Sequence, residues 1–411
     1  MKRYETYKQG DGFWIKDIPV EWSYGSLNFL VDFVMGQAPH SSSYNQIGEG
    51  EVFVKTGDFG KIKPMVKWYT TAPLVFGKEE DVFICVVGAT AGKVNLGING
   101  TISRSIAALR PRQKIDQKYL YYFLSYNYLR LNESSQGSAQ GIINKDILSS
   151  IKLPIPSPQE QSQIASYLNY KTGLIDTIIS QKEELIKKLK EQRQAIINEA
   201  VTKGLNKDVK LKDSGIEWLG EIPEHWEVVK LRYLSDITTG DKDTENREDD
   251  AKYPFFVRSQ TIERISSYSF DGEAILTAGD GVGVCKVWHY INGKFDYHQR
   301  VYMMHNFRKV TGIYLFNFMK ENFINEVLKL SAKSTVDSLR RPMFLEFPVA
   351  VPPLEEQSSI IDMLINKQKL IDHSIKGILS SIQKLKEYRQ SLISEAVTGK
   401  IDVRDWQAPK S

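Results

Sequence analysis

The chain repeats itself, and that limits its folds more than any single motif does. The stretch IPSPQEQSQIASYLNYKTGLIDTIISQKEELIKKLKEQRQAIINEAVT, from Ile155, aligns without a gap to VPPLEEQSSIIDMLINKQKLIDHSIKGILSSIQKLKEYRQSLISEAVT, from Val351. Roughly 22 of about 48 positions are identical at an offset of about 196. A second echo precedes each copy: Trp14, Ile18, Pro19, Trp22, Leu27, Leu30, Asp32 and Gly36 return as Trp218, Ile222, Pro223, Trp226, Leu231, Leu234, Asp236 and Gly240. The order is therefore A, B, A′, B′. The expected boundaries are 1–155 for A, 156–205 for B, 206–350 for A′ and 351–411 for B′ with the tail.

Both B segments read as long helices. Pro156 and Pro158, like Pro352 and Pro353, halt the preceding strand-like run, and the Glu-Gln that follows suits a helical first turn. One heptad row runs through Leu168, Ile175, Lys182, Leu189 and Ile196, and its counterpart through Leu364, Ile371, Ile378, Leu385 and Leu392. A second row adds Ile179, Ile186 and Ala200, matched by Ile375, Ile382 and Ala396. Rows this narrow make a helix–helix seam. A helix of ~40 residues is on the order of 60 Å long, which suits a spacer better than a compact core. The competing reading buries both helices in one ordinary domain, but the polar faces KKLKEQRQ and QKLKEYRQ argue for solvent. Arg193 and Arg389 lie on the stripe in both copies, where a structural ion pair is the first expectation. A two-fold rotation exchanging the halves would lay the helices antiparallel and put A and A′ at opposite ends.

Segments A and A′ mix strands and helices. FICVVG and AILTAG read as buried strands; YLYYFLSYNYLRLNES and GIYLFNFMKENFINEVLKL read as aromatic-rich amphipathic helices. The fold class is α+β, two tandem pseudo-two-fold domains separated by two long antiparallel coiled-coil helices.

Chemistry is harder to find. VGATAGKV resembles a phosphate-binding loop but is one residue short and has Val94 where a Mg²⁺-ligating Ser or Thr belongs. GDGVG (Gly279–Gly283) imitates a dinucleotide loop without the helix start or acidic residue. The two correspond to each other and end in Lys93 and Lys286; a shared Gly-rich hairpin turn and a backbone phosphate contact are both open there. TISRSIAAL and YHQRVYMM set Arg104 opposite Arg300, with Ser103, His298 and Gln299 beside them, residue types that can reach base edges or make structural bonds. Lys55, Arg258, Ser259 and Gln260 sit at matching strand-to-loop positions. The six histidines have no HxxxH or HExxH spacing, the two cysteines no metal-ligand spacing, and no GxSxG, nuclease cluster or S-adenosylmethionine loop is present, so neither metal nor catalysis is expected.

Net charge is +4, divided as about +4, +1, −2 and +1 over A, B, A′ and B′. A protein gripping DNA by phosphate neutralisation alone would be more basic, so a DNA role implies partners that share the grip. MKRYETYKQG lacks the apolar core of a signal peptide, no apolar run approaches membrane-spanning length, and two cysteines build no disulfide framework; a cytoplasmic protein is expected.

The runs SGIEWLGEIPEHW (Ser214–Trp226), PPLEEQ (Pro352–Gln357) and EAVTG (Glu395–Gly399), in a duplicated chain, resemble the specificity subunits of type I restriction-modification enzymes over essentially the whole length. The N-terminal opening, DGFWIKDIPVEW (Asp11–Trp22), is a degraded copy, Lys203-Gly204 replaces the usual helix-ending Gly, and Cys285 stands where Gly92 stands in the first copy. The resemblance implies two target recognition domains, each reading one half of a bipartite, asymmetric site on double-stranded DNA. Conserved helices would set the spacer and dock two modification (methyltransferase) subunits that methylate adenine N6. Two restriction (translocase/nuclease) subunits would complete the complex. It implies no cofactor in this chain, with S-adenosylmethionine, ATP and Mg on the partners, and no membrane. The alternative is a non-catalytic coiled-coil scaffold with two protein-binding domains.

Overall fold

The computed structural model describes residues 2–12, 15–136, 142–330 and 338–409; Trp14 of the N-terminal echo lies outside them. The chain forms two compact units, Met1–Lys182 with Ser380–Ser411, and Glu183–Leu379.

In the first unit β1 (Val31–Met35), β2 (Glu51–Val54), β3 (Val82–Cys85), β4 (Val94–Leu96), β5 (Gly100–Ile102) and β6 (Ile106–Pro111) carry the core. Four of them form an antiparallel sheet in the order β4-β3-β6-β1, and β2 pairs parallel to β5. β3 and β4 are buried at every position; β3 reads as an unbroken apolar run, while β4 buries Asn95, whose side-chain amide donates to the Gly60 and Val94 carbonyls. Helix α1 (Gln117–Tyr126) begins where the Asp116 carboxylate accepts from the Lys118 and Tyr119 amides, and it buries Tyr119, Tyr122 and Phe123. One continuous helix was expected here. The chain instead breaks at Asn127, whose side-chain amide donates back to the Phe123 carbonyl, and a second helix covers Tyr128–Gln136. Helix α2 (Pro158–Lys203) follows.

The second unit repeats the plan with longer strands. β7 (Asp236–Thr239), β8 (Tyr253–Phe256), β9 (Glu263–Ile265), β10 (Phe270–Ala278), β11 (Trp288–Tyr297) and β12 (Val301–His305) form one sheet in the order β7-β12-β10-β11-β8-β9. Only β8 and β11 pair in parallel, as β2 and β5 do. Helix α3 (Gly312–Leu330) packs Tyr314, Phe318 and Phe323 into a core with Trp226, Phe344 and Phe347. The last helix is α4 (Leu354–Val397).

Both long helices contribute to both units. In the first, Asp176 of α2 meets Arg389 of α4 at 3.1 Å, and Tyr167 stacks edge-on against Trp406 beyond the end of α4. In the second, Arg193 of α2 meets Asp372 of α4 at 2.9 Å, while Ile197 and Val201 share a core with Ile360 and Leu364. Each set pairs later residues of one helix with earlier residues of the other, so within each unit the helices run antiparallel. The two ion pairs are repeat-equivalent. Leu168, Ile175, Ile179, Leu364, Ile371, Ile382 and Leu392 are buried; Ile186, Leu189, Ile196, Ile375, Ile378 and Leu385 are half-buried.

A buried tyrosine fixes each helix end to its sheet. Tyr119 Oη lies 2.9 Å from the Pro154 carbonyl and 3.3 Å from that of Val397; Tyr314 Oη lies 2.9 Å from those of both Ala350 and Val201. Val201 and Val397 stand in the last turns of α2 and α4, where carbonyls lack helical partners.

Candidate nucleic-acid interface

In each unit the strand pair β2/β5 or β8/β11 ends beside a tight turn. Ser103 N donates to the Val54 carbonyl and Ile106 N to the Ser103 carbonyl; likewise His298 N donates to Phe256 and Val301 N to His298. Ser103 therefore matches His298. Sequence offset pairs Arg104 with Arg300, but the hydrogen bonds pair Arg104 with Gln299 and Ser105 with Arg300. The Val86 amide donates to the Ser105 carbonyl and the Gly279 amide to that of Arg300, which fixes this register. The one-residue difference persists into the helix that follows, where Tyr119 matches Tyr314, and is gone by their carbonyl partners Pro154 and Ala350.

The second unit's turn is locked from beneath. His298, 2% exposed, accepts the Arg300 amide on Nδ1 at 2.9 Å. Burial pushes its imidazole pKa down, helped by the charges of Arg258 and Arg300 and opposed by Asp243 and Asp280. Gln299 donates from its side chain to Asp243 at 2.7 Å and from its backbone to the Lys242 carbonyl. Arg258, just beyond β8, and Arg300 converge on one carboxylate. Arg258 Nη1 donates to Asp280 Oδ1 at 2.9 Å and Arg300 Nη1 to Oδ2 at 2.5 Å. The Asp280 side chain is 18% exposed; those of Arg258 and Arg300 are 43% and 62% exposed. Burial pushes the Asp280 carboxyl up, but the two guanidiniums outweigh it and hold it below the usual carboxylate range. A cleft of about 390 Å³ opens here, lined by Arg258, Ser259, Asp280 and Val282. Ser259 Oγ bonds within its own turn to the Thr261 amide and carbonyl, and Gln260 is exposed.

The first unit holds its cation by other means. Lys55 Nζ lies 3.6 Å from the Trp68 ring centroid and 4.3 Å from that of Tyr44, with Phe53 behind at 5.5 Å. Burial lowers its ammonium pKa against the pull of Asp58. Arg104 is exposed and, among the described residues, makes no hydrogen bond or ion pair.

Several candidates leave this surface. Ser103, like His298, is buried and serves the turn rather than a ligand. Lys93 Nζ donates to the Phe59 carbonyl at 2.9 Å, tying the Gly-rich turn to the loop after β2. Lys286 lines a separate cavity of about 700 Å³ with Arg193, Trp288 and Lys320. The turns themselves follow close-approach geometry. The Ala91, Gly92 and Lys93 amides bond to Gly88, Cys85 and Thr90, and the Val284, Lys286 and Val287 amides to Gly281 and Gly283. Those amides are spent inside the turn, unavailable for a phosphate. A Cβ on Gly283 would stand 2.7 Å from the Arg258 carbonyl, and one on Gly279 would stand 2.9 Å from that of Arg300. Cys285 takes φ +57° where Gly92 takes +89°.

Asp280, Asp243, Tyr44 and Trp68 were not anticipated. Asp280 was visible inside GDGVG as a carboxylate; Tyr44 and Trp68 carry no local signal. Among the described residues no cluster of His, Cys, Asp and Glu suits a metal ion, and no helix is long and apolar enough to cross a membrane.

Two α+β units of one plan each set cationic side chains beside a strand end, Lys55 and Arg104 in the first and Arg258 and Arg300 in the second, as a duplicated chain would. The family model for the type I restriction modification DNA specificity domain matches residues 19–188 and again 223–384, and the chain belongs to that family. It is a non-catalytic specificity subunit, with catalysis left to partner subunits. It is 26% identical to the type I restriction enzyme MjaVIII specificity subunit of Methanocaldococcus jannaschii, over 98% of this chain and 97% of that protein. It is 30% identical to the EcoDI specificity subunit of Escherichia coli over 46% of this chain and 41% of that one. A chain in a solved type I restriction-modification system has the same fold, with TM-score 0.72 at 15% identity, covering 93% of this chain and 99% of that one.

Proposed function

We propose that each unit reads one half of a bipartite, asymmetric site on double-stranded DNA, with residues 1–155 and 206–350 as the recognition domains and 156–205 and 351–411 as the spacer helices and tail. The duplicated turn carries this reading: the same strand-end place bears Lys55 and Arg104 in one unit and Arg258, Gln299 and Arg300 in the other. Arginine and lysine at such positions suit guanine edges and phosphates, glutamine suits adenine. The helices dock two methyltransferase subunits that use S-adenosylmethionine on adenine N6, and two restriction subunits bring ATP and Mg chemistry. Exposed Leu174, Ile178 and Leu185 on α2, with Leu370 on α4, supply apolar surface for such docking. The compartment is the cytoplasm, where DNA and these partners meet.

Co-expression with the methyltransferase subunit and single-molecule sequencing of modified adenines tests the reading. The expected result is two short half-sites at a fixed unread spacing, one methylated adenine on each strand. Exchanging residues 206–350 for another such domain changes one half-site only; alteration of both, or of neither, overturns the modular assignment.

A further inference from the structure

The second unit resolves a conflict written into its charge. Its globular segment carries about −2, so it attracts phosphates weakly, yet two arginines are held on its strand-end turn. Cations that contribute little to phosphate attraction are better explained as readers of base edges. A reader must be fixed, because a mobile arginine loses rotamer freedom on binding and accepts wrong bases more readily.

Asp280 supplies that fixation. It approaches both guanidiniums from the buried side, one oxygen to each, and leaves their exposed sides outward. Each arginine donates a single N–H to it, so every other donor of its planar fork stays available. Both arginine backbones are fixed as well. Gly279 and Gly283 approach the carbonyls of Arg300 and Arg258 too closely for a side chain, and His298 accepts the Arg300 amide. Almost wholly exposed Val282 stands at the tip of the same turn, next to the cleft. A second consequence concerns charge: one carboxylate under two guanidiniums leaves a single net positive charge. That limits non-specific attraction while keeping two directional forks.

On the DNA-specificity reading above, we propose that Asp280 is a positioning residue that holds Arg258 and Arg300 for bidentate contact with guanine. The half-site read by residues 206–350 then contains at least one G·C pair, recognised through O6 and N7 in the major groove.

The test uses the full chain co-expressed with its methyltransferase, and sequencing of modified adenines for the native chain, Arg258→Ala, Arg300→Ala, Asp280→Asn and Asp280→Glu. Each arginine variant relaxes base preference at one or two positions of a single half-site, with discrimination falling on the order of 10- to 100-fold there. Asp280→Asn relaxes the same positions, Asp280→Glu restores part of the preference, and the other half-site stays unchanged. Where Asp280→Asn does not yield soluble complex, Arg258→Lys and Arg300→Lys carry the test, since they keep the charge and lose the fork. The proposal is overturned if the affected half-site holds no G·C pair. It is equally overturned if Asp280→Asn leaves base preference intact or lowers modification uniformly at all positions. A native complex with active methyltransferase and no motif at all refutes the specificity reading itself, a different failure visible before any variant is made.

Discussion

Replacing Tyr314 by phenylalanine removes one oxygen from a fully buried ring and changes almost nothing in shape. That oxygen sits 2.9 Å from the carbonyls of both Val201, at the end of α2, and Ala350, in the last strand. Burial keeps its phenol well above the ordinary pKa, so the hydroxyl is a donor at any usable pH. Its single proton serves one carbonyl at a time, and the Val201 carbonyl stands in the helix's last turn. The variant loses one hydrogen bond, worth about 1 kcal/mol net, and leaves a buried acceptor without a donor, which costs about 1–3 kcal/mol. We expect Tyr314→Phe to destabilise the second unit by about 2 kcal/mol, or roughly 4–8 °C in Tm for a unit of this size. Tyr119→Phe should cost somewhat less in the first unit, since its second acceptor is 3.3 Å away. Urea unfolding of the full chain, with hydrogen exchange localising the change to the ends of α2 and α4, measures both. Tyr233→Phe, at a ring 64% exposed, is the control and should stay within about 0.5 kcal/mol of native. If Tyr314→Phe matches that control, the tyrosine does not tie helix to sheet.

The repeat-equivalent ion pairs differ in burial, and their removal should differ accordingly. Side-chain exposures are 25% and 23% for Asp176 and Arg389, against 62% and 35% for Asp372 and Arg193. Asp176→Ala should cost about 1–2 kcal/mol and Asp372→Ala less than about 0.5 kcal/mol in the same urea assay. Equal costs would refute the burial argument. His289 and His298 both have imidazoles pushed down by burial, and both lie in the second unit. Below the ordinary histidine pKa of about 6.5 the unfolded chain takes up protons that the folded one refuses. Stability therefore falls with pH from about 6.5 towards the lowered folded values, by at most about 1.4 kcal/mol per pH unit for each histidine. His298→Gln should flatten the second unit's urea midpoint between pH 7.5 and 5; an unchanged slope would show that the His298 imidazole takes up protons alike in the folded and unfolded chains. Lys55→Met keeps a long side chain among Tyr44, Phe53 and Trp68 while removing the charge. It should leave folding intact and weaken modification at the first unit's half-site alone. A loss shared by both half-sites would place Lys55 outside the reading surface.

Much of the architecture could be read from one line of letters because duplication acts as an internal alignment. Two copies of the heptad rows, of Trp22 and Trp226, and of Asp32 and Asp236 reveal which positions the fold needs twice. The structure then pairs Asp32 with Arg112 and Asp236 with Arg308 in the same way. Helix-seam residues were legible because a period near 3.5 survives at fixed local spacing. The site was legible only in part. Arg258 and Arg300 were named, but the carboxylate joining them lay inside a glycine-rich run that imitates a nucleotide loop. The cage around Lys55 is assembled from positions 44, 53 and 68, and no spacing rule connects them.

Sequence by itself determined the duplication, the two long amphipathic helices and the kinds of side chain at each strand end. Those are local or periodic properties, set by residue type and by the geometry of one helix or one strand. Tertiary structure decided the partners. It chose which carboxylate meets which guanidinium and aligned the turns one residue away from the sequence offset. It also tied Lys93 to the Phe59 carbonyl within the first unit, and in the second it set Lys286 in a cavity apart from the cleft of Arg258. Such choices depend on which strands pair and how far each runs before the chain turns, and only packing of the whole unit fixes that.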